Sequence, residues 1–206
     1  MRKSRIVAVA VLALATGFTI ALIVKQLQPV KLESATWFGD HSRALPEFEL
    51  IDQNNNKLKR SDFEGRWHLI FFGYTHCPDI CPASLQTLAD MVKLIDDRDV
   101  ANLLEVAFIS VDPARDRPEI LKSYVEYFNP DFIAATASPE NLDRITGSLG
   151  IAYFIDKNDP EQQSYEVGHS SGFVLINPAV ELSGLFSAPH DSRKIANDLI
   201  KIIERY

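Results

Sequence analysis

The chain holds two cysteines, four positions apart in Cys77-Pro78-Asp79-Ile80-Cys81-Pro82. Four residues is about one helical turn, so at a helix start both sulfurs can face the same way. The free N–H groups and dipole of a helix N-terminus favour the thiolate, the form that binds a metal or attacks a disulfide. The plain alternative is a structural disulfide. A bridge closing so short a loop adds little chain-entropy stabilisation, which favours chemistry.

The flanking segments place the pair at a strand-to-helix turn. Leu69 to Phe72 is a continuous apolar run, the pattern of a strand buried on both faces, and it ends at Gly73. A helix is expected from about Pro82 to Asp96, with Leu85, Leu88, Val92 and Ile95 on one face and Pro82 in the first turn. Further strands are expected at 48–51, 106–111 and 132–135. Helices should open at Pro118, behind the N-cap Ser138, and behind the cap Asp191. Residues 152–167 read as an inserted hairpin. A second hairpin joins 172–176 to 182–186 around Asn177-Pro178. This order, β-α-β-α-β-α then hairpin and helix, predicts an α/β fold with a mixed sheet in a three-layer, thioredoxin-like sandwich.

In that architecture the loop before the second hairpin faces the dithiol. Oxidoreductases of this type carry Cys-x-x-Cys there; this chain has one extra residue between its thiols. They also carry a proline in the facing loop, where this chain reads Glu166-Val167-Gly168-His169-Ser170-Ser171-Gly172. His169 takes the facing place. Two thiolates and an imidazole form a donor set that suits Cu(I) or zinc through sulfur and Cu(II) through nitrogen. Thiol redox chemistry remains the second reading. A peroxidase is the weakest, because Thr75-His76-Cys77 lacks the Thr-x-x-Cys spacing.

Three stretches together resemble the Sco/SenC family. They are Phe71-Phe72-Gly73-Tyr74-Thr75-His76-Cys77-Pro78-Asp79-Ile80-Cys81-Pro82, Ser110-Val111-Asp112-Pro113-Ala114-Arg115-Asp116, and Gly168-His169-Ser170. The resemblance runs from about Leu45 to the C-terminus. It implies a membrane-tethered, thioredoxin-like protein that binds copper and assists assembly of the Cu(A) centre of cytochrome c oxidase. By resemblance Cys77, Cys81 and His169 are the copper ligands. The implied partners are the Cu(A)-bearing oxidase subunit and other periplasmic copper chaperones or thiol reductases. Many members carry Asp immediately before the histidine; here Gly168 stands there. Asp79, Asp112 and Asp116 are expected either to brace the site or to meet a partner. For Asp79 the plainer role is a helix cap; for Asp112, Arg115 and Asp116 it is loop hydrogen bonding. His76 adjoins Cys77, but adjacent side chains seldom share one small site. His41, His68 and His190 have no partner spacing and read as surface or packing residues.

Residues 6–24 contain 16 apolar residues out of 19 and no charge, with Arg2, Lys3 and Arg5 before them and Lys25 after. That length spans a bilayer, and the basic flank favours a cytoplasmic N-terminus. The expected organisation is an anchor over 1–25, a linker over 26–45 and the copper-binding domain over 46–206. The anchor would cross the inner membrane once and leave the domain in the periplasm. A cleaved signal peptide is the rival reading, since Ala13-Leu14-Ala15 resembles a cleavage site. The formal charge of −7 hides a split: residues 1–31 carry five basic residues and no acid, so the other 175 carry a net of −12. So acidic a domain is not the footprint of a nucleic-acid binder.

Overall fold

The computed structural model describes residues 14, 16–20, 31–155, 165 and 167–206. The chain divides into two units, Met1–Lys31 and Leu32–Tyr206. In the first, residues 14 and 16–20 are helical and exposed; the rest of the expected anchor lies outside the described residues. Among the described residues, no helix is long and apolar enough to cross a membrane.

The second unit is built on β5 (Trp67–Gly73), the expected apolar strand. Every residue of it is buried, so both faces are covered. Helix α1 (Ile80–Lys93) follows, then a short α2 (Arg98–Leu103) and β6 (Leu104–Ser110), which runs parallel to β5. Helix α3 (Pro118–Glu126) leads to β7 (Ile133–Thr136), parallel to β6. Helix α4 (Pro139–Leu149) starts where Ser138 Oγ accepts the Asn141 N–H. It stops at Gly150, whose φ of 70° is the left-handed conformation that lets a helix end sharply. The antiparallel pair β10 (Phe173–Ile176) and β11 (Glu181–Phe186) and helix α5 (Ser192–Ile203) complete the unit. Sheet neighbours run β11-β10-β5-β6-β7, with β10 antiparallel to β5. A βαβ unit joined to a ββα unit through adjacent strands is the thioredoxin-like core. Leu85, Leu88 and Met91 of α1 are fully buried, as are Ile195, Leu199 and Ile202 of α5.

Three details depart from the sequence reading. Part of the expected linker belongs to the sheet: β1 (Ala35–Trp37) and β2 (Arg43–Ala44) both pair with β11. Strands of three and two residues are too short to show an alternating pattern. The buried Asp198 carboxylate on α5 fastens this segment, accepting the N–H groups of Glu33, Ser34 and Ala35 and the Ser34 hydroxyl. Burial opposes charge on Asp198, but these hydrogen bonds outweigh it and hold its pKa below the ordinary carboxylate value. Second, α1 stops at Lys93, and Asp97 caps the separate α2 by accepting from Asp99 and Val100 N–H. Third, the expected strand at 48–51, β3 (Glu49–Asp52), is joined by an unforeseen β4 (Lys57–Lys59), and the two extend the sheet beyond β7.

Candidate metal centre

The end of β5 delivers the chain into the loop 74–79 and then into α1, with Cys77 in the loop and Cys81 in the first helical turn. Cys81 is fully buried and Cys77 partly exposed; both are free thiols. The Cys81 N–H, an unpaired donor of the first turn, points at Cys77 Sγ from 3.4 Å. Gly73 makes this packing possible. A Cβ on it would lie 2.7 Å from Cys81 Sγ and 2.9 Å from the Phe108 ring.

The third donor comes from the inserted hairpin. Its strands, β8 (Tyr153–Ile155) and β9 (Val167–His169), pair antiparallel with each other. His169 closes β9 and puts Nε2 3.3 Å from Cys81 Sγ. Its Nδ1 lies 3.0 Å from the Ser170 carbonyl, which can only accept. In that hydrogen bond the proton sits on Nδ1 and the Nε2 lone pair is left for a metal. The rings of Phe71 and Tyr74 flank the imidazole, each with its centroid 5.8 Å away. Burial pushes the His169 pKa down, against the pull of the Ser170 and Phe72 carbonyls, which favours the neutral ring. Burial pushes the Cys81 thiol up, and the neighbouring Cys77 adds to this. A metal arriving here must therefore displace a proton from Cys81. The three donor atoms all lie within 4.8 Å of one another, the one such group among the described residues. Metal–sulfur bonds of ~2.3 Å and metal–nitrogen bonds of ~2.0 Å suit separations of this order.

The acidic residues have distinct places. Asp116 is fully buried and accepts from the Thr75 N–H (2.8 Å), the Thr75 hydroxyl (2.5 Å) and the Ser110 hydroxyl (2.6 Å). It therefore braces the loop that leads into Cys77. Asp112 is also buried; it pairs with Arg115 and accepts the Tyr165 hydroxyl at 2.5 Å. Asp79 occupies the N-cap position but makes no capping hydrogen bond with its side chain, which is exposed beside the dithiol. The plainer role given to it is thus not the one it takes.

His76 is exposed and bonds to Thr75 Oγ1, outside the donor group. His68 is buried against Glu105, and His190 stacks on Phe173 at 3.8 Å. Gly168 lies between two inward-facing neighbours on β9, so a side chain there would point away from the imidazole. It would enter the Phe154 ring, 2.1 Å from an ideal Cβ. An Asp placed here would therefore face the Phe154 ring and not the imidazole. Sequence reasoning gave no role to Tyr74, although it lies within the cysteine motif, nor to Phe154 or Tyr165.

Fold and site together define a thioredoxin-like protein whose dithiol is completed by a histidine from an inserted hairpin. The SCO1/SenC family profile matches residues 39–204, and the chain belongs to that family. A Stutzerimonas stutzeri protein named for copper binding is 39% identical over 149 residues, 71% of each chain. The mouse mitochondrial SCO2 homologue is 33% identical over 160 residues, 78% of this chain and 61% of that one. The chain thus spans only about six tenths of the mouse protein. Among solved structures, Arabidopsis thaliana ScoI with copper bound superposes with a TM-score of 0.71 at 30% identity, covering 78% of this chain and 98% of that one.

Proposed function

We propose that this protein is a copper metallochaperone that binds copper through the Cys77 and Cys81 thiolates and His169 Nε2. The observation that carries the reading is the convergence of two sulfurs and an imidazole nitrogen within 4.8 Å, with Nε2 3.3 Å from Cys81 Sγ. Two soft thiolates favour Cu(I), and the imidazole extends the set to Cu(II). The copper-bound relative of the same fold supports this choice of metal. The cargo then passes to the Cu(A)-bearing subunit of cytochrome c oxidase by ligand exchange. Cys77 is the more exposed sulfur, so an incoming thiolate displaces it before the buried Cys81. Residues 1–25 tether the protein to the inner membrane, and the domain works in the periplasm. The net charge of −12 over residues 32–206 favours a basic docking face.

One observation favours a second reading, a thiol-disulfide reductase that keeps the target's copper-ligand cysteines reduced. Cys77 is partly exposed and receives the Cys81 N–H, while Cys81 waits buried behind it. That is how an attacking and a resolving thiol are arranged. Deletion of the gene, with oxidase activity assayed with and without added copper, tests the proposal. Rescue by copper supports delivery; no rescue supports the redox role. Full complementation by His169→Ala would also favour reduction, which needs no imidazole.

A further inference from the structure

We propose that Arg115, Asp112 and Tyr165 form a latch that positions His169 against the dithiol, so that opening it strips the site from three donors to two. The inference rests on the copper reading above and adds its control element. The strand that carries His169 lies outside the main sheet, in a two-stranded hairpin of three residues a side. Such a pair is marginal by itself in water, so the position of the imidazole depends on what fastens the ends of β9. At its C-terminal end, Ser170 N–H donates to the Ala152 carbonyl at 3.0 Å. Toward the other end, two residues before Val167, the fastening is Tyr165.

Arg115 grips Tyr165 in three ways. Its Nη1 donates to the Tyr165 carbonyl at 3.0 Å. Its guanidinium carbon lies 3.6 Å from the centroid of the Tyr165 ring. Its Nε binds the buried Asp112 carboxylate, which also takes the Tyr165 hydroxyl. The same guanidinium stands 5.6 Å over the Tyr74 ring, and Tyr74 meets the His169 ring edge-on at 87°. Packed contacts thus run unbroken from Arg115 through Tyr74 to the imidazole. Burial and the bond to Asp112 raise the Tyr165 pKa to about 12, so its hydroxyl remains a donor at neutral pH. These three are positioning residues. None is a ligand, and all belong to the loop after β6 or to the hairpin.

With the latch closed, the imidazole completes a site for either copper oxidation state. With it open, the two thiolates remain, which still suit Cu(I) but hold Cu(II) poorly. A partner that engages the hairpin would thereby loosen bound Cu(II) before any sulfur exchanges.

The test uses the full chain in detergent, reduced, with Arg115→Ala, Arg115→Lys, Tyr165→Ala and Tyr165→Phe variants. Cu(II) and Cu(I) affinities are measured by chelator competition, and nitrogen ligation by electron paramagnetic resonance. Arg115→Ala and Tyr165→Ala should weaken Cu(II) by ~10–100-fold, the usual scale for residues that orient a ligand. They should lose the imidazole nitrogen signature and leave Cu(I) affinity unchanged. Arg115→Lys should not rescue, because an ammonium cannot stack and bond in one plane; Tyr165→Phe should fall between. Wild-type Cu(II) spectra in both alanine variants, equal losses for both oxidation states, or full rescue by Arg115→Lys would each overturn the latch. Amide hydrogen exchange at residues 167–170 of the metal-free chain gives a readout independent of copper. It should speed up in both alanine variants, and unchanged exchange would overturn the proposal. A wild-type chain that binds no copper would sink the copper reading instead.

Discussion

The Gly73→Ala substitution adds one methyl group where the structure has no room for it. The new Cβ would meet Cys81 Sγ at 2.7 Å and the Phe108 ring at 2.9 Å. Ordinary contacts begin near 3.4 Å, so the sulfur or the strand must retreat by about 0.7 Å in a core packed like a crystal. Cys81 and Phe108 are both fully buried, so neither has solvent to move into. Overpacking of this kind costs ~1–3 kcal/mol. In a protein of this size each kcal/mol lowers Tm by about 2–4 °C, so the metal-free protein should melt ~2–12 °C lower. The displaced sulfur also leaves its place 3.3 Å from His169 Nε2, and copper affinity should fall. Adding Phe108→Leu frees one of the two contacts and should recover part of the stability without restoring the affinity. Calorimetry of the metal-free protein and Cu(I) competition measure the two effects separately. A Gly73→Ala protein with wild-type Tm and wild-type affinity would refute the close-packing argument.

Asp116→Ala strands the Thr75 and Ser110 donors that its carboxylate now accepts. Hydrogen bonds to a charged group are worth ~1.5–3 kcal/mol each, so a loss of at least about 3 kcal/mol is expected in urea unfolding. Burial holds the pKa values of His169 and His190 below the ordinary 6.5. The unfolded chain therefore takes up protons first as pH falls below that value, and stability of the metal-free protein should decline from pH 7 to 5.5. A His169→Gln/His190→Gln variant should show a flatter profile across that window, read by denaturant midpoints. Gly168→Asp should displace the Phe154 ring yet leave copper affinity within the error of the wild type, since position 168 faces away from the imidazole. A large loss in a competition assay would contradict that geometry.

The chain's own patterning made most of the core legible. Leu69 to Phe72 is apolar without alternation because β5 is covered on both faces. Ser138-Pro139 and Asp191 announced two helix starts, and in both the cap side chain accepts the expected N–H. What the sequence hid is short or long-range. Strands β1 and β2 are too brief for a period, and the fastening of the start of β1 by Asp198 spans more than 160 residues. At the site, the spacing of Cys77 and Cys81 and the position of His169 carried enough chemistry to be named in advance. Asp116 was named as a brace without its partners Thr75 and Ser110, and the grip of Arg115 on Tyr165 could not be seen, because these contacts join loops with no periodicity. Residue 168 was open to misreading from sequence. Only the alternation of β9 and the ring of Phe154 show which way it faces.

The most direct test of the central claim is copper K-edge X-ray absorption of the reduced, copper-loaded protein, taken beside its His169→Ala variant. The account predicts two sulfur scatterers and one imidazole nitrogen in the wild type, with the imidazole signature gone and both sulfurs kept in the variant. A spectrum without sulfur ligands, or an imidazole signature that survives His169→Ala, would contradict it.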